Sequence, residues 1–508
     1  MSYIGKDPAI LDNFVTAVAS GTLANGSKVV VNSNGTVSAV AEANGVLDPP
    51  QPGTSVIYSA NSASNTNSTF DSNSNRVVIA YQDHGNSRYG TAVVGTVNGT
   101  SISFGTPVAY NSVVSNDNVP TFDSDSNKVV IAFEDQTNSR HGKAIVGAVN
   151  SSNNSIAFGS IVTFESARAN LAAIAFDSNV NKVVVLYNDG GNSDALTAVV
   201  GDVTASNNSI AFGTPVSLGL VSYTNADISF DSTANKMVVA YKNVGDSNHG
   251  AAKVGTITAS NNSIAFGAEA KFLAASTTGA KCAYDPDTNK TAIFFRDLSV
   301  SPQISKAVVA TVNTSNNTLS YGSLTAFTTF SNAISGAVYD TNINKFVVVY
   351  TDQSGDITQH VIVGTVNGTS ISFGTQSPTS ADTTKIVAYI QSACFDSNSN
   401  KVVSVFRKTD PNDANSTSTN KGRAVVISTQ GLVSNLTAEN YIGISDGAHA
   451  DSTLATVQIT GAIDDAQSSL TPGQTYFVQT NGTLGTSADD PSVVAGTALT
   501  SSTLLIKG

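Results

Sequence analysis

A seven-residue phrase recurs seven times in this chain: an aromatic residue, Asp, three variable positions, Asn, then Lys or Arg, with an apolar run behind it. The copies begin at Phe70, Phe122, Phe176, Phe230, Tyr284, Tyr339 and Phe395, at spacings of 52, 54, 54, 54, 55 and 56 residues. Self-similarity at a fixed period marks a repeat architecture, in which each unit buries its apolar face against the next.

Each copy reads as four short strands. The first ends in the aromatic-Asp pair, as in Val119–Asp123, and the second is the apolar run Lys128–Asp135. The third is the small and branched Ala144–Gly147, and the fourth is Ser155–Gly159, with close copies at Ser101–Gly105 and Ser209–Gly213. A continuous apolar second strand suits burial on both faces, whereas the alternating fourth strand suits one wet face. Four-stranded sheets repeated around an axis make a propeller. The expected fold is therefore all-β, a seven-bladed β-propeller of four-stranded blades. Repeat seven lacks the Ile-x-Phe-Gly strand after Ala424–Ile427, while Gly53–Tyr58 matches Gly105–Tyr110. An N-terminal strand is thus expected to close the ring and remove an exposed edge.

The charge is −12, and charged residues make up 12% of the chain. An acidic surface excludes a phosphate-neutralising nucleic-acid partner. No apolar run reaches the ~20 residues of a membrane span, so membrane insertion is not expected. The start Met1–Pro8 shows no charged-then-apolar signal pattern, which predicts synthesis without export by that route. Cys282 and Cys394 fall on apolar strands of non-neighbouring repeats and read as buried free thiols.

Around the repeats, Gly26–Val37 and Gly473–Leu484 each read as strand, Asn-Gly turn and returning strand. The expected domains are an N-terminal β module (1–50), the propeller (51–430) and a C-terminal β module (431–508). The two modules are expected to pack as one small β-rich domain, with Asp48–Gly53 as a Pro-rich linker. The C-terminal runs Tyr441–Gly447, Leu470–Val478, Val493–Ala498 and Leu504–Gly508 resemble the small β modules that end many virion proteins of tailed bacteriophages. Met1–Lys6 is similar to the start of phage tail-fibre and virion surface proteins, and the repeats resemble those of structural proteins of marine phages. The turn Asp285–Lys290 is similar to the corner of YVTN-type propellers. The resemblance implies a virion context, with the terminal modules contacting other virion proteins or joining copies of this chain into a homo-oligomer.

Candidate sites are read against plainer roles. Asp123, Asp125 and Asn127 put oxygens at alternate positions, as calcium loops do, but lack the following Gly and the downstream Glu. A tight-turn role is expected instead, and no metal or other cofactor is predicted. A basic residue follows each turn (Arg76, Lys128, Lys182 and their equivalents), and an acid usually closes the second strand (Asp83, Asp135, Asp189). Seven residues of strand put these two rings on opposite edges, and solvated rim charges are expected there. The loops between second and third strands vary most and suit recognition. Their candidate ligand-binding residues are His84, Arg88, Tyr89, Arg140, His141 and His249, together with the long loop Thr409–Asn415. Polar amides beside Tyr, His and Arg suit a host glycan or an adaptable protein contact.

No nucleophile elbow in a strand-to-helix context, P-loop, metal-binding His pair or Asp-box is present, and the chain contains no Trp. The function expected is a non-enzymatic phage surface protein, a fibre, knob or tail appendage, that presents the propeller for host attachment. The alternatives are a capsid-decorating structural protein and, less favoured, a glycan-degrading enzyme.

Overall fold

The computed structural model describes residues 13–221, 226–353, 358–379, 390–409 and 420–507. Met1–Lys6 and nearly all of the long loop 409–415 lie outside the described residues. The fold is all-β, in several antiparallel sheets. The chain divides into two compact units, one made of residues up to Leu47 with Gln430–Gly508, the other of Asp48–Thr429.

In the larger unit each repeat forms the same antiparallel series. Repeat two shows the register. Phe122 pairs with Val129 and Asp123 with Lys128, so the first strand turns into the second at the Asp-x-x-x-Asn corner. Asp135 then pairs with His141, and Asn150 with Ser155. The second strand is buried along its length because neighbouring repeats cover both of its faces, and the fourth buries only alternate residues. The corner forms because Asp123 Oδ1 accepts the amides of Asp125 and Ser126 while Asn127 adopts a left-handed φ of 55°, a conformation Asn tolerates.

One long strand serves two repeats. Along Val108–Asp123, the first half pairs with the third strand of repeat one and the second half with the second strand of repeat two. Val56–Asp71 does the same. Its first half pairs with repeat seven, Val56 opposite Ala424 and Ile57 opposite Arg423, and its second half pairs with repeat one. Two N-terminal strands therefore stand where repeat seven has none of its own: Glu42–Pro52 at the place of Ser101–Phe104, and the start of Val56–Asp71 at that of Val108–Asp123.

The cores are shared in the same order. Val78, Tyr110 and Phe133 belong to one cluster of repeats one and two, and Val77, Ile102, Val403 and Val426 to one cluster of repeats seven and one. Tyr110 packs on Phe133 and Phe158 at centroid distances of 5.3 and 5.5 Å; Tyr58 packs on Tyr81 and Phe104 at 5.2 and 6.1 Å. Each first strand touches the first strand of the next repeat, and that of repeat seven touches that of repeat one. Ser68, Pro120, Ala173, Ile228, Cys282, Gly336 and Ala393, one from each repeat, line a common cavity of about 190 Å³.

The glycine of Ile-x-Phe-Gly is required by the next repeat. A Cβ on Gly105 would lie 2.1 Å from the carbonyl oxygen of Asn154, which sits in the turn between third and fourth strands of repeat two. Gly53 stands in the same relation to Thr100 O, at 1.9 Å. At Gly374 of repeat six the neighbour is instead Asp48, from the N-terminal strand.

Two expectations are corrected. Asp48–Gly53, read as a linker, begins where the larger unit begins but is part of that unit, since Glu42–Pro52 is a strand, Asp48 binds repeat six and the Gly53 amide donates to Val426 O. Proline is compatible with this outer position. The two charge rings are not simply solvated. Asp135 and Asp297 are 2% and 1% exposed, each held by a lysine and by the turn that follows. Lys182 is also buried and bridges to Asp202, and Arg76 bonds Asn154 and Ser151 of the next repeat. Both thiols are free and buried, and burial pushes the Cys394 thiol up to about 12.

The smaller unit contains two five-stranded sheets over a common core that includes Val30, Ile444, Val478 and Leu504. Both hairpins read from the sequence form, Val31 opposite Val37 and Val478 opposite Leu484. Among the described residues no helix is long and apolar enough to cross a membrane.

Candidate functional site

The second strands of the larger unit have two ends. At one lie the Asp-x-x-x-Asn corners and, in the neighbouring strands, the third-to-fourth turns; Asp48 and Thr429, the residues bounding this unit, bond there to Thr375 and Asp340. At the other lie the loops between second and third strands. The closing acid shapes these loops: Asp83 Oδ1 accepts the Gly85 amide and Asp189 Oδ1 that of Gly191. Four of the loops end in the same pair of left-handed residues: Ser87 and Arg88, Ser139 and Arg140, Ser193 and Asp194, Ser247 and Asn248, with φ between 50° and 62°.

This periodicity puts the candidates at two equivalent positions. Arg88 and Arg140 occupy the second left-handed position, and Tyr89, His141 and His249 open the third strand. Their environments differ. The Arg140 guanidinium grips both oxygens of Glu134, at 2.8 and 3.0 Å, and reaches Asn170 of repeat three at 2.9 Å. His249 is 2% exposed, with Nε2 against Glu269 Oε1 and Nδ1 against Asp246 O. His84 Nε2 lies 2.8 Å from Ser64 Oγ, and burial, reinforced by the charges of Arg88 and Arg407, lowers its proton affinity. These three side chains are each engaged by partners within the fold. The side chains of Arg88, Tyr89 and His141 make no hydrogen bond or ion pair among the described residues, and Arg88 is exposed. Asp123, Asp125 and Asn127 lie at the opposite end, and no group of three or more His, Cys, Asp or Glu among the described residues is placed to hold a metal.

The residue before the closing position, an acid in five repeats, Asn243 in repeat four and Lys408 in repeat seven, escaped the sequence reading. It is Gln82, Glu134, Asn188, Lys242, Arg296, Thr351 and Arg407, seven polar residues of six kinds between otherwise regular positions. Several of them reach across to the next repeat. Gln82 donates to Ser115 O and Asn116 Oδ1, and Arg296 to Gln353 and Ser331. Variation confined to one column of a regular repeat was the available signal.

The carboxylates at this end are engaged. Burial raises Glu134, with Arg140 opposing. Burial, then the charge of Glu134, raises Asp117 to about 7, and Arg140 and the Leu171 amide oppose. Burial would raise Glu269 too, yet Tyr241, His249 and Asn243 together hold it below the usual range. Glu134 is chelated by Arg140, and Glu269 accepts from three side chains.

No family model matches the chain and no curated protein matches it. Solved structures similar to it include a periplasmic gluconolactonase of Pseudomonas aeruginosa, at 10% identity and TM-score 0.48, covering 72% of this chain and 95% of that one. Sqt1 of Saccharomyces cerevisiae is similar at 8% identity and TM-score 0.42 over 81% of this chain and 99% of its own. A mutant of the NanB sialidase of Streptococcus pneumoniae is similar at 13% identity and TM-score 0.42, covering 74% and 70%.

Proposed function

We propose that the seven repeats close into a seven-bladed propeller, and that the protein is a non-enzymatic virion surface protein of a tailed phage that presents the second-to-third-strand loops to a host surface. The strand Val56–Asp71, paired with repeats seven and one, supports closure. The virion context rests on the resemblance of the terminal segments and repeats. In this reading the smaller unit contacts other virion proteins, and the loops bind a host glycan or protein.

The observation that carries the recognition reading is Arg88. A left-handed arginine is uncommon and costs about 1–2 kcal/mol. In Arg140 the same conformation serves the Glu134 pair, whereas the exposed guanidinium of Arg88 has no such partner among the described residues. The backbone of Arg88 is tied into the fold, its amide donating to Asp83 O and its carbonyl accepting from the Ser115 amide, so it is the exposed guanidinium beside Tyr89 that suits a contact made outside the molecule.

Antibodies raised against the purified chain should decorate intact phage particles, and the purified chain should compete with particles for adsorption to host cells. Labelling on the capsid lattice without competition would favour decoration. Absence of label on any particle would overturn the virion reading, and release of sugar from a polymer would overturn the non-enzymatic one.

A further inference from the structure

The smaller unit holds a lysine whose surroundings do not account for it. Lys28 opens the strand Lys28–Val31 and is partly buried where that strand meets the loop Ala466–Ser469 and the turn Asn481–Thr483. Its ammonium makes two hydrogen bonds, to Gly26 O and Gln467 Oε1, both at 3.4 Å. No carboxylate among the described residues lies within 4 Å of it. Asp464 is near enough to act through its charge, but its Oδ2 accepts from Gln467 Nε2 and its Oδ1 from the Ala466 amide. Two long hydrogen bonds and a carboxylate that accepts from other donors compensate the desolvation of this partly buried ammonium only in part.

Two adjoining clefts of about 320 and 340 Å³ open beside this lysine. Both lie at the lower end of the size range of small-molecule sites. Lys28 is the charged side chain of either lining, and the remaining polar groups are neutral, among them Asn25, Ser27, Ser468, Asn481 and Thr483. The walls are rigid at two points. Gly26 and Gly482 are left-handed turns, and a Cβ on them would meet Ala466 Cβ at 2.9 Å and Val40 O at 2.2 Å.

We propose that this cleft is a binding site for an acidic sugar, with the Lys28 ammonium taking the carboxylate and the surrounding amides and hydroxyls taking the ring hydroxyls. One cation in a lining of neutral donors and acceptors suits a single negative group carried on a polyhydroxylated body. Burial lowers the proton affinity of Lys28, with Asp464 opposing, so binding of the carboxylate favours the protonated amine and weakens as pH rises.

The test is calorimetric titration of the full chain with glucuronate, glucose, acetate and a short acidic peptide. Saturable binding of glucuronate is expected, with glucose and acetate each at least tenfold weaker. Lys28→Gln should abolish binding and Lys28→Arg should retain it, with thermal unfolding of both variants checking the fold. Affinity should fall between pH 7 and pH 10. Equal binding of glucose, tighter binding of the peptide, undiminished binding in a folded Lys28→Gln variant, or no binding to the wild-type chain overturns the proposal.

Discussion

The Thr375 amide donates a 2.5 Å hydrogen bond to Asp48 Oδ1, joining residues 327 positions apart. Asp48 stands beside Gly374 where, at other junctions, a turn of the following repeat stands beside the equivalent glycine. A segment with no copy of the repeat phrase thereby completes a repeat pattern. The junction at Gly53 is the same contact one step on, and it makes the equivalence testable.

Gly53→Ala and Gly159→Ala should each destabilise the chain by about 1–3 kcal/mol, because both place a methyl about 2 Å from a backbone oxygen of the following repeat, at Thr100 and Asn208 respectively. Urea unfolding measures both. A silent Gly53→Ala would show that the closing junction is looser than an internal one.

Arg88→Gly and Arg140→Gly should have opposite effects despite identical backbone conformations. The first relieves a left-handed arginine and is neutral to stabilising, by up to about 1 kcal/mol, while reducing adsorption. The second leaves Glu134, 0% exposed, without its counter-ion and costs about 2–3 kcal/mol; this is below the usual range for a buried pair because Arg140 is 39% exposed. Denaturation curves and adsorption assays read the two effects separately.

Asp117 predicts a pH dependence. Its folded value of about 7 lies above that of an unfolded Asp, so between about pH 4 and 7 the folded state holds a proton that the unfolded state has lost. Stability should therefore fall as pH rises through this window. Asp117→Asn keeps an acceptor for the Leu171 amide and suits the left-handed φ of 48°, so it should reduce the slope by the share of Asp117, leaving that of Glu134, and gain on the order of 1–2 kcal/mol at pH 8. Unfolding free energies at pH 5 and pH 8 check the sign.

Asp123→Ala should cost about 1–2 kcal/mol, since it removes the acceptor of two turn amides, and Asp123→Asn should cost much less. Calcium and chelator should leave the thermal midpoint of the wild type unchanged. A calcium-dependent rise would restore the metal reading of Asp123, Asp125 and Asn127.

Much of the fold was legible because its determinants are local. The Asp-x-x-x-Asn corner needs only its own side chains and a left-handed Asn, and the fourth strand shows its single buried face as an alternation. The match between Gly53–Tyr58 and Gly105–Tyr110 was legible for the same reason, since equivalent packing demands equivalent residues. The Pro-rich stretch misled because proline reads locally as a linker, whereas at an outer position it occupies a strand without needing its missing N–H.

The sequence by itself determined the seven-fold repeat, its strands and corners, and the position of the variable loops, all properties of contiguous residues and their period. Only the tertiary structure decided which loop residues are available. His249 and His141 open equivalent strands, yet one is enclosed by Glu269 and Asp246 and the other is not. Arg140 and Arg88 share a conformation, but only one finds a buried glutamate. Whether a polar side chain is spent inside the molecule depends on partners in other strands and neighbouring repeats, and that information is absent from any local pattern.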